Sequence, residues 1–380
     1  MARSWPTACS SRRACPDNND DNGRVSQTSG RHVRWGVLGT ARIATEKVVP
    51  AVQRGTLGRV TAIASRQVER ARRVAAQLSI PRAYGTYDAL LSDPDIDAVY
   101  IPLPNHLHVD WATRAAEAGK HVLVEKPVAT DAAGAAALLA VRDRTRVLIQ
   151  EAFMIRAHPQ WETAIDLVRR RRLGVVRAVH VFFGYRNLDP GNIRNVPELG
   201  GGGLLDIGCY IVHAARWIFD REPSRAVGLV DRDPVLGIDR LTSMMLEFGN
   251  GHAVGTCATQ ATPYQRVQII GETRRLEIRI PFNAPAGQSC RLWLDDGSEL
   301  DGAGVTAIDV EPADQYTRQA DRFAQAILDG APAPLPLEDA VANMRVVDAI
   351  RGLPFRPPSL PAFKPSSLPT DLNAPGPSPA

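Results

Sequence analysis

The chain has 380 residues, 44% hydrophobic and 23% charged, enough for about two domains of ordinary size. Forty-five basic residues against 41 acidic leave a formal charge of only +4. The basic residues are dispersed, which argues against the clustered footprint of a nucleic-acid binder. No apolar run reaches the roughly 18–20 residues of a membrane span. The five cysteines form neither a disulfide framework nor a metal cluster. The expectation is a cytoplasmic protein in a reducing compartment, with no metal and no membrane or nucleic-acid partner.

The first 30 residues carry arginines but lack the apolar stretch of a secretory signal. Residues 16–30 are polar and turn-rich, so 1–30 is expected to be a disordered arm. Residues 33–38 form a short apolar run ending in a glycine turn, and a helical pattern follows through Ile43, Val48, Val49 and Val52. Residues 59–64 make a second strand, followed by a helix with Ala71, Val74, Ala75 and Leu78. Tyr84 marks a short third strand, and residues 86–92 a short helix. Residues 97–103 are a fourth strand, 107–118 a helix closed by Gly119 at its C-terminus, and 121–124 a fifth strand. Strands alternating with helices at this spacing predict a doubly wound parallel sheet over residues 31–150.

The rhythm changes after residue 150. Residues 169–172 are four arginines in a row, read as the solvated end of a helix. Residues 175–185 form a long strand, and Gly200–Gly203 precede a helix running to about Phe219. Turn signals at 249–251, 271–273 and 295–297 separate further apolar runs. Two helices close the ordered chain, at about 314–329 and 337–351. The prediction over 151–352 is an α+β domain with a mostly antiparallel, open-faced sheet. Segment 225–300 has too few helices to cover both faces of that sheet, so a homodimer or homotetramer through it is expected. Residues 353–380 are dense in Pro and Ser and read as a disordered tail.

The first strand-to-helix turn reads Gly39-Thr40-Ala41-Arg42-Ile43-Ala44. Against the G-x-G-x-x-G dinucleotide fingerprint it keeps the first glycine and has alanine at the other two positions. A helix N-terminus there offers free N–H groups and a positive dipole end to phosphate. The second strand ends in Ser65-Arg66, where NAD sites place a carboxylate for the ribose 2′-hydroxyl. A hydroxyl and a guanidinium are donors, which suit the 2′-phosphate of NADP better, with NAD as the alternative.

In open α/β sheets ligands bind beyond the carboxyl ends of the strands. The fourth strand delivers Asn105 and His106 there, and the fifth delivers Glu125-Lys126-Pro127. A partly desolvated Lys126 beside a cationic nicotinamide is expected to have a lowered pKa and to exchange a proton with a substrate oxygen. Asp206 and Tyr210 lie four apart and share a helical face, so they could hold a sugar hydroxyl between them. The glycine run before them would let backbone lie close to a ligand. A nearby ammonium and the cationic ring of the oxidised cofactor are both expected to lower the Tyr210 phenol as well.

Taken together these residues resemble the Gfo/Idh/MocA oxidoreductases over about residues 33–352. The most specific elements are Glu125-Lys126-Pro127 and the Gly-Gly-Gly-x-x-x-Asp-x-Gly-x-Tyr pattern ending at Tyr210. Asn105-His106, Glu151-Ala152-Phe153 and His158-Pro159 add to it. The resemblance implies a Rossmann domain followed by a C-terminal domain for substrate binding and subunit contact. It makes Lys126 the catalytic lysine, Asp206 a ligand for substrate hydroxyls and Tyr210 the proton donor or acceptor. The cofactor residues expected are Gly39, Thr40, Ala41, Arg42, Ile43, Ser65, Arg66, Asn105, His106 and Glu125. Tyrosine at 210 points to the branch that includes glucose–fructose oxidoreductase, dihydrodiol dehydrogenase, NADP-linked xylose dehydrogenase and nucleotide-sugar ketoreductases. The expected reaction is hydride transfer between nicotinamide and a carbinol or carbonyl carbon of a pyranose sugar or sugar derivative. An NAD-dependent glycosidase or a non-catalytic cofactor sensor of the same fold is the alternative.

Overall fold

The computed structural model describes residues 30–352. The expectations for the terminal arm and tail therefore lie, Gly30 aside, outside the described residues. Six parallel strands form the first sheet: β1 (Val33–Leu38), β2 (Gly58–Ala64), β3 (Arg82–Tyr84), β4 (Ala98–Ile101), β5 (His121–Val124) and β6 (Ile149–Glu151). Their order, β3-β2-β1-β4-β5-β6, reverses direction beside β1. That reversal opens a crevice at the carboxyl ends of β1 and β4. The central strands are apolar along most of their length because helices cover both faces.

Local chemistry sets the helices between them. After β1 the chain enters a wider π-type winding at Ala44–Val48 and continues as α1 (Val49–Arg54). Next come α2 (Val68–Gln77), α3 (Tyr87–Leu91) and α4 (His108–Glu117). The Thr86 side chain caps α3 by accepting from the Ala89 N–H, and Gly119 takes the left-handed conformation after α4, as expected. Two elements were not anticipated, α5 (Ala132–Thr145) and β6. The alanines of α5 lie on every side, so no apolar stripe announces it, and its start is set by the Asp131 cap on Gly134 N–H.

α6 (Pro159–Arg169) leads into the second sheet, and Arg169 to Arg172 are exposed at its end, as expected. That sheet contains β7 (Val176–Arg186), β8 (Arg225–Arg232), β9 (Asp239–Glu247), β10 (His252–Ala258), β11 (Gln260–Gly271), β12 (Arg275–Ile278), β13 (Cys290–Asp295) and β14 (Val305–Val310). The order is β14-β13-β12-β11-β7-β10-β9-β8. All neighbours are antiparallel except β7 and β10. The three turn signals each join consecutive antiparallel strands. The inner face of this sheet, including Val179, Val181, Phe183, Val267 and Ile269, is buried in one core with α7 (Cys209–Phe219). The outer face carries no helix among the described residues.

The last two helices return to the first sheet. On α8 (Gln315–Asp329), Phe323 packs against Trp35 of β1 with ring centroids 5.8 Å apart. Asp321 accepts from the Thr56 and Leu57 N–H groups at 3.1 Å each. On α9 (Leu337–Ile350), Asp348 accepts from Ala132 N–H at 2.8 Å, at the start of α5. One continuous apolar cluster thus runs from the first sheet into the second, and the crevice between them has fixed walls.

Candidate active site

A cavity of about 1170 Å³ lies beyond the carboxyl ends of β1, β2, β4 and β5, facing the end of β7 and the start of α7. It exceeds the ~300–1,000 Å³ of a pocket for one small ligand.

At one end, Gly39, Thr40, Ala41, Arg42 and Ile43 line the wall as expected. Gly39 has φ +115°, and a Cβ there would sit 3.1 Å from Leu103 Cδ2, so the first fingerprint glycine is required. Ala44 is fully buried and small enough for the helix to pack on the sheet. The helix begins at Arg42, leaving its first N–H groups free toward the cavity. Arg42 itself is bound to Glu46 at 2.8 Å and is largely in solvent. Ser65 and Arg66 also line this end, joined by Arg70 of α2, which sequence reasoning missed. Arg70 donates to the Thr40 carbonyl at 3.4 Å. Among the described residues neither Arg66 nor Arg70 has a carboxylate partner. Two uncompensated guanidiniums beside a free helix N-terminus are a donor set suited to pyrophosphate and a 2′-phosphate.

At the junction, Asn105 lines the cavity and its amide donates to the Gly200 carbonyl at 2.8 Å. His106 is different: it is exposed, lies 3.3 Å from the Leu199 carbonyl and is not part of the lining. The buried His108, missed by sequence reasoning, sits with its ring nitrogens 2.7 Å from the carbonyl oxygens of Pro127 and Leu103. It thereby ties the ends of β4 and β5 together. Glu151 accepts from Val128 N–H at 2.7 Å beneath the cis Lys126–Pro127 peptide, and burial pushes its carboxyl up to about 8. His158 caps α6 through the Gln160 N–H.

Glu125 accepts from the Tyr100 hydroxyl at 2.6 Å, and burial raises its carboxyl above the usual range. Lys126 reaches across the crevice. Its Nζ donates to the Asp206 backbone carbonyl at 2.6 Å and lies 3.3 Å from Asp206 Oδ1. It also sits 4.9 Å from the centre of the Tyr210 ring. Lys126, Asp206 and Tyr210, from two separate parts of the chain, are therefore brought together as expected. Asp206 lies in a second stretch of π-type winding, Leu204–Gly208, which precedes α7; such widened turns are frequent at functional sites.

The electrostatics depart from expectation in two places. Burial alone would lower the Lys126 ammonium, but Asp206, Cys209 and Glu125 outweigh it and raise Lys126 above its ordinary value. Burial raises the Tyr210 phenol well above its ordinary value. Lys126 lies over the ring face of Tyr210, and its charge does not overcome the desolvation. The Tyr210 hydroxyl donates to Met154 Sδ at 3.2 Å, and its ring packs edge-on against Phe153 at 5.1 Å.

Asp206 is bound to a tyrosine that sequence reasoning missed. Its Oδ2 accepts from the Tyr185 hydroxyl at 2.5 Å and from Arg194 Nε at 3.0 Å. Burial would raise the Asp206 carboxyl, but Lys126, Arg194 and Tyr185 hold it down at about 2. The glycine run also serves a different end from the one expected. A Cβ on Gly201 would lie 2.6 Å from the Arg194 carbonyl, and one on Gly202, where φ is +114°, 2.0 Å from Asp239 Oδ1. These glycines chiefly let protein approach protein, although Gly200 and Gly201 do reach the cavity wall.

Beyond Arg194 the rim of the cavity reaches Tyr264, Arg266 and Arg279, and the two guanidiniums lie on Glu277 at the outer face of the second sheet. Both arginines share Glu277: Arg266 is bound to its Oε1, and Arg279 Nε donates to the same oxygen at 2.9 Å. Among the described residues no cluster of side chains could hold a metal ion, and no helix is long and apolar enough to cross a membrane.

Residues 33–153 match the oxidoreductase family with an NAD-binding Rossmann fold, Gfo/Idh/MocA, and residues 161–277 match its C-terminal domain. The chain belongs to that family. It is 49% identical to an uncharacterized oxidoreductase of Rhizobium meliloti, covering 84% of this chain and 96% of the other. It is 40% identical to the D-xylose 1-dehydrogenase (NADP(+)) 2 of Haloferax volcanii, covering 83% and 95%. Among solved structures, a 3-ketoreductase from Actinomadura kijaniata in complex with NADP and TDP-benzene superposes with a TM-score of 0.78 at 33% identity, covering 85% of this chain and 98% of the other.

Proposed function

We infer that this member of the family is an NADP-dependent oxidoreductase that transfers a hydride to or from a carbon of a pyranose sugar. The observation that carries the reading is the meeting of Lys126, Asp206 and Tyr210 in one cavity with the fingerprint turn and with Arg66 and Arg70. The xylose dehydrogenase relative is NADP-linked, and the ketoreductase structure contains NADP. In that ketoreductase a lysine and a tyrosine chosen for substitution are 84 positions apart, as are Lys126 and Tyr210.

Bound NADP would supply the hydride acceptor or donor. The helix start after Gly39 would hold pyrophosphate, and Arg66 with Arg70 and Ser65 the 2′-phosphate. Lys126 and Tyr210 are both protonated at neutral pH, so each offers a donor to a substrate oxygen. In reduction they stabilise and then protonate the developing alkoxide. In oxidation the hydroxyl proton has to leave through one of them, after it has lost its own proton.

We take a neutral pyranose as the substrate to be tested against a nucleotide-linked one. Lys126 and Arg194 share the Asp206 carboxylate, and Arg266 and Arg279 share Glu277, so the cations at this end are partly compensated, whereas Arg66 and Arg70 have no carboxylate partner among the described residues. We also propose a homo-oligomer formed through the open face of the second sheet, in a cytoplasmic setting. The buried, unpaired Cys209, Cys257 and Cys290 support a reducing compartment.

The test is a screen of aldoses, their lactones, keto-sugars and nucleotide-linked sugars with NADP and NADPH, followed by absorbance of the reduced nicotinamide. Turnover of neutral pyranoses supports the reading. Turnover confined to nucleotide-linked sugars removes the neutral substrate, and none with any sugar removes the activity.

A further inference from the structure

The Asp206 carboxylate is occupied in a way that the hydride-transfer reading does not require. Both lone pairs of Oδ2 are engaged, one by the Tyr185 hydroxyl at 2.5 Å and one by Arg194 Nε at 3.0 Å. The other oxygen lies 3.3 Å from Lys126 Nζ, which also donates to the Asp206 main-chain carbonyl at 2.6 Å, so the carboxylate sets the direction of an ammonium already tethered to the same residue. A carboxylate that exists to accept sugar hydroxyls would keep an oxygen free toward the cavity. Here one oxygen is taken by two donors, and the other is turned to the lysine.

The two donors come from different elements: Tyr185 is partly buried, and Arg194, whose side chain is 45% exposed, is held through its backbone. Tyr185 stands near the end of β7, in a strand bonded on both sides. Arg194 comes from the connection between β7 and α7, and its seat is built by the glycine run. The Gly202 N–H donates to the Arg194 carbonyl at 2.8 Å, and a side chain at Gly201 would collide with that carbonyl at 2.6 Å. Glycine is needed there so that the connection lies against the start of α7, and the result places the guanidinium on Asp206.

We propose that Tyr185 and Arg194 are positioning residues that act through Asp206: they fix its carboxylate so that the other oxygen orients the Lys126 ammonium for proton transfer. Asp206 is then a holder of the lysine first and a ligand for substrate second. The proposal rests on Lys126 being the group that meets the substrate oxygen.

The sequence makes a direct test practical, because it contains only four lysines, Lys47, Lys120, Lys126 and Lys364. Protein grown on lysine labelled with carbon-13 at Cε gives one methylene signal for each, and Lys126→Arg assigns the one that matters. In the native protein without sugar, an immobilised Lys126 shows two distinct Hε shifts. Tyr185→Phe and Arg194→Met are expected to collapse them toward one, with NADP binding nearly unchanged and the protein still folded by circular dichroism. Arg194→Lys, which keeps a cation, should restore much of the separation. In turnover, both truncations should lower kcat roughly 10–100-fold, the scale of a misplaced catalytic group, with the sugar KM within about threefold.

Hε shifts that stay distinct in both truncations overturn the proposal. So does a rise in KM at constant kcat, which would make the two residues direct sugar ligands. A fall in KM also overturns it, since freeing Asp206 would then have improved substrate binding. If the native enzyme turns over no sugar, the functional reading fails, while the lysine spectra still decide whether Tyr185 and Arg194 hold Lys126.

Discussion

Seven cations line the cavity, and their pairing separates their work. Arg66 and Arg70 have no carboxylate partner among the described residues, whereas Arg42 has Glu46, Lys126 and Arg194 share Asp206, and Arg266 and Arg279 share Glu277. Arg66→Asp is therefore expected to weaken NADP by about 2–4 kcal/mol, the loss of a charged hydrogen bond plus a new repulsion. NAD, which lacks the 2′-phosphate, should be little affected. Fluorescence titration of both cofactors checks this, and an unmoved preference would assign the phosphate to other groups. The raised Lys126 and Tyr210 make a second prediction. Oxidation needs one of them deprotonated, so its kcat/KM should climb with pH through the neutral and alkaline range. Reduction uses the protonated forms and should be flat there. An oxidation rate already level at neutral pH would mean that neither group is the base. Tyr210→Phe and Lys126→Met should each cut turnover by roughly 10²–10⁴, the range for a positioned acid or base. If they share one oxygen, the double variant should be little worse than the poorer single; strictly additive losses would separate them.

At the scale of elements, what could be read from the chain depended on whether the signal was local. β1, β5 and the helix pair at the end follow from apolar periodicity and turn residues, and the structure places them within a residue or two of expectation. α5 has alanine on all sides and carries no stripe, so it escaped. β6 is three residues long and is held by β5. The site divides the same way. The fingerprint turn, Ser65-Arg66 and the lysine after β5 announce themselves by position at strand ends. Tyr185 and Arg194 do not, because their meaning comes from the fold of β7 back over Asp206, a contact with no spacing rule. Tyr185 is one more aromatic in a long strand, and Arg194 one more arginine in a chain rich in them. The direction of the Lys126 shift was missed for a related reason: the Asp206 carboxylate, the largest influence raising it, arrives only with the tertiary structure. The return of α8 to β1 has a measurable consequence. Phe323 is fully buried against Trp35, and Phe323→Ala should cost about 3–5 kcal/mol, the usual loss for a buried aromatic. Urea unfolding would show it, and a loss below about 1 kcal/mol would mean that α8 is held mainly by the Asp321 contacts to Thr56 and Leu57.

For the whole molecule the unpartnered face of the second sheet matters most. Its inner face is sealed by the core, while the outer face presents Val227 and Leu229 from β8, Leu241 and Met245 from β9, and Val254 from β10. Register sets several of these side by side: Val227 lies opposite Met245, and Met245 opposite Val254. The other half of the same face is charged, with Arg266 and Glu277 paired across β11 and β12. An apolar patch with a polar rim is the usual form of a protein interface. β8 is also an edge strand, whose free backbone groups another chain could approach. The expected state is a dimer or tetramer with this face at the contact. A cation at the centre of the patch would be stranded between two apolar surfaces on association but well solvated in the monomer. Met245→Arg should therefore shift the protein to monomer while leaving the fold and NADP binding intact, since Met245 points away from the core and the cavity. Light scattering at micromolar concentration measures both proteins. A native monomer removes the interface, and a native oligomer that Met245→Arg leaves unchanged moves it to another surface.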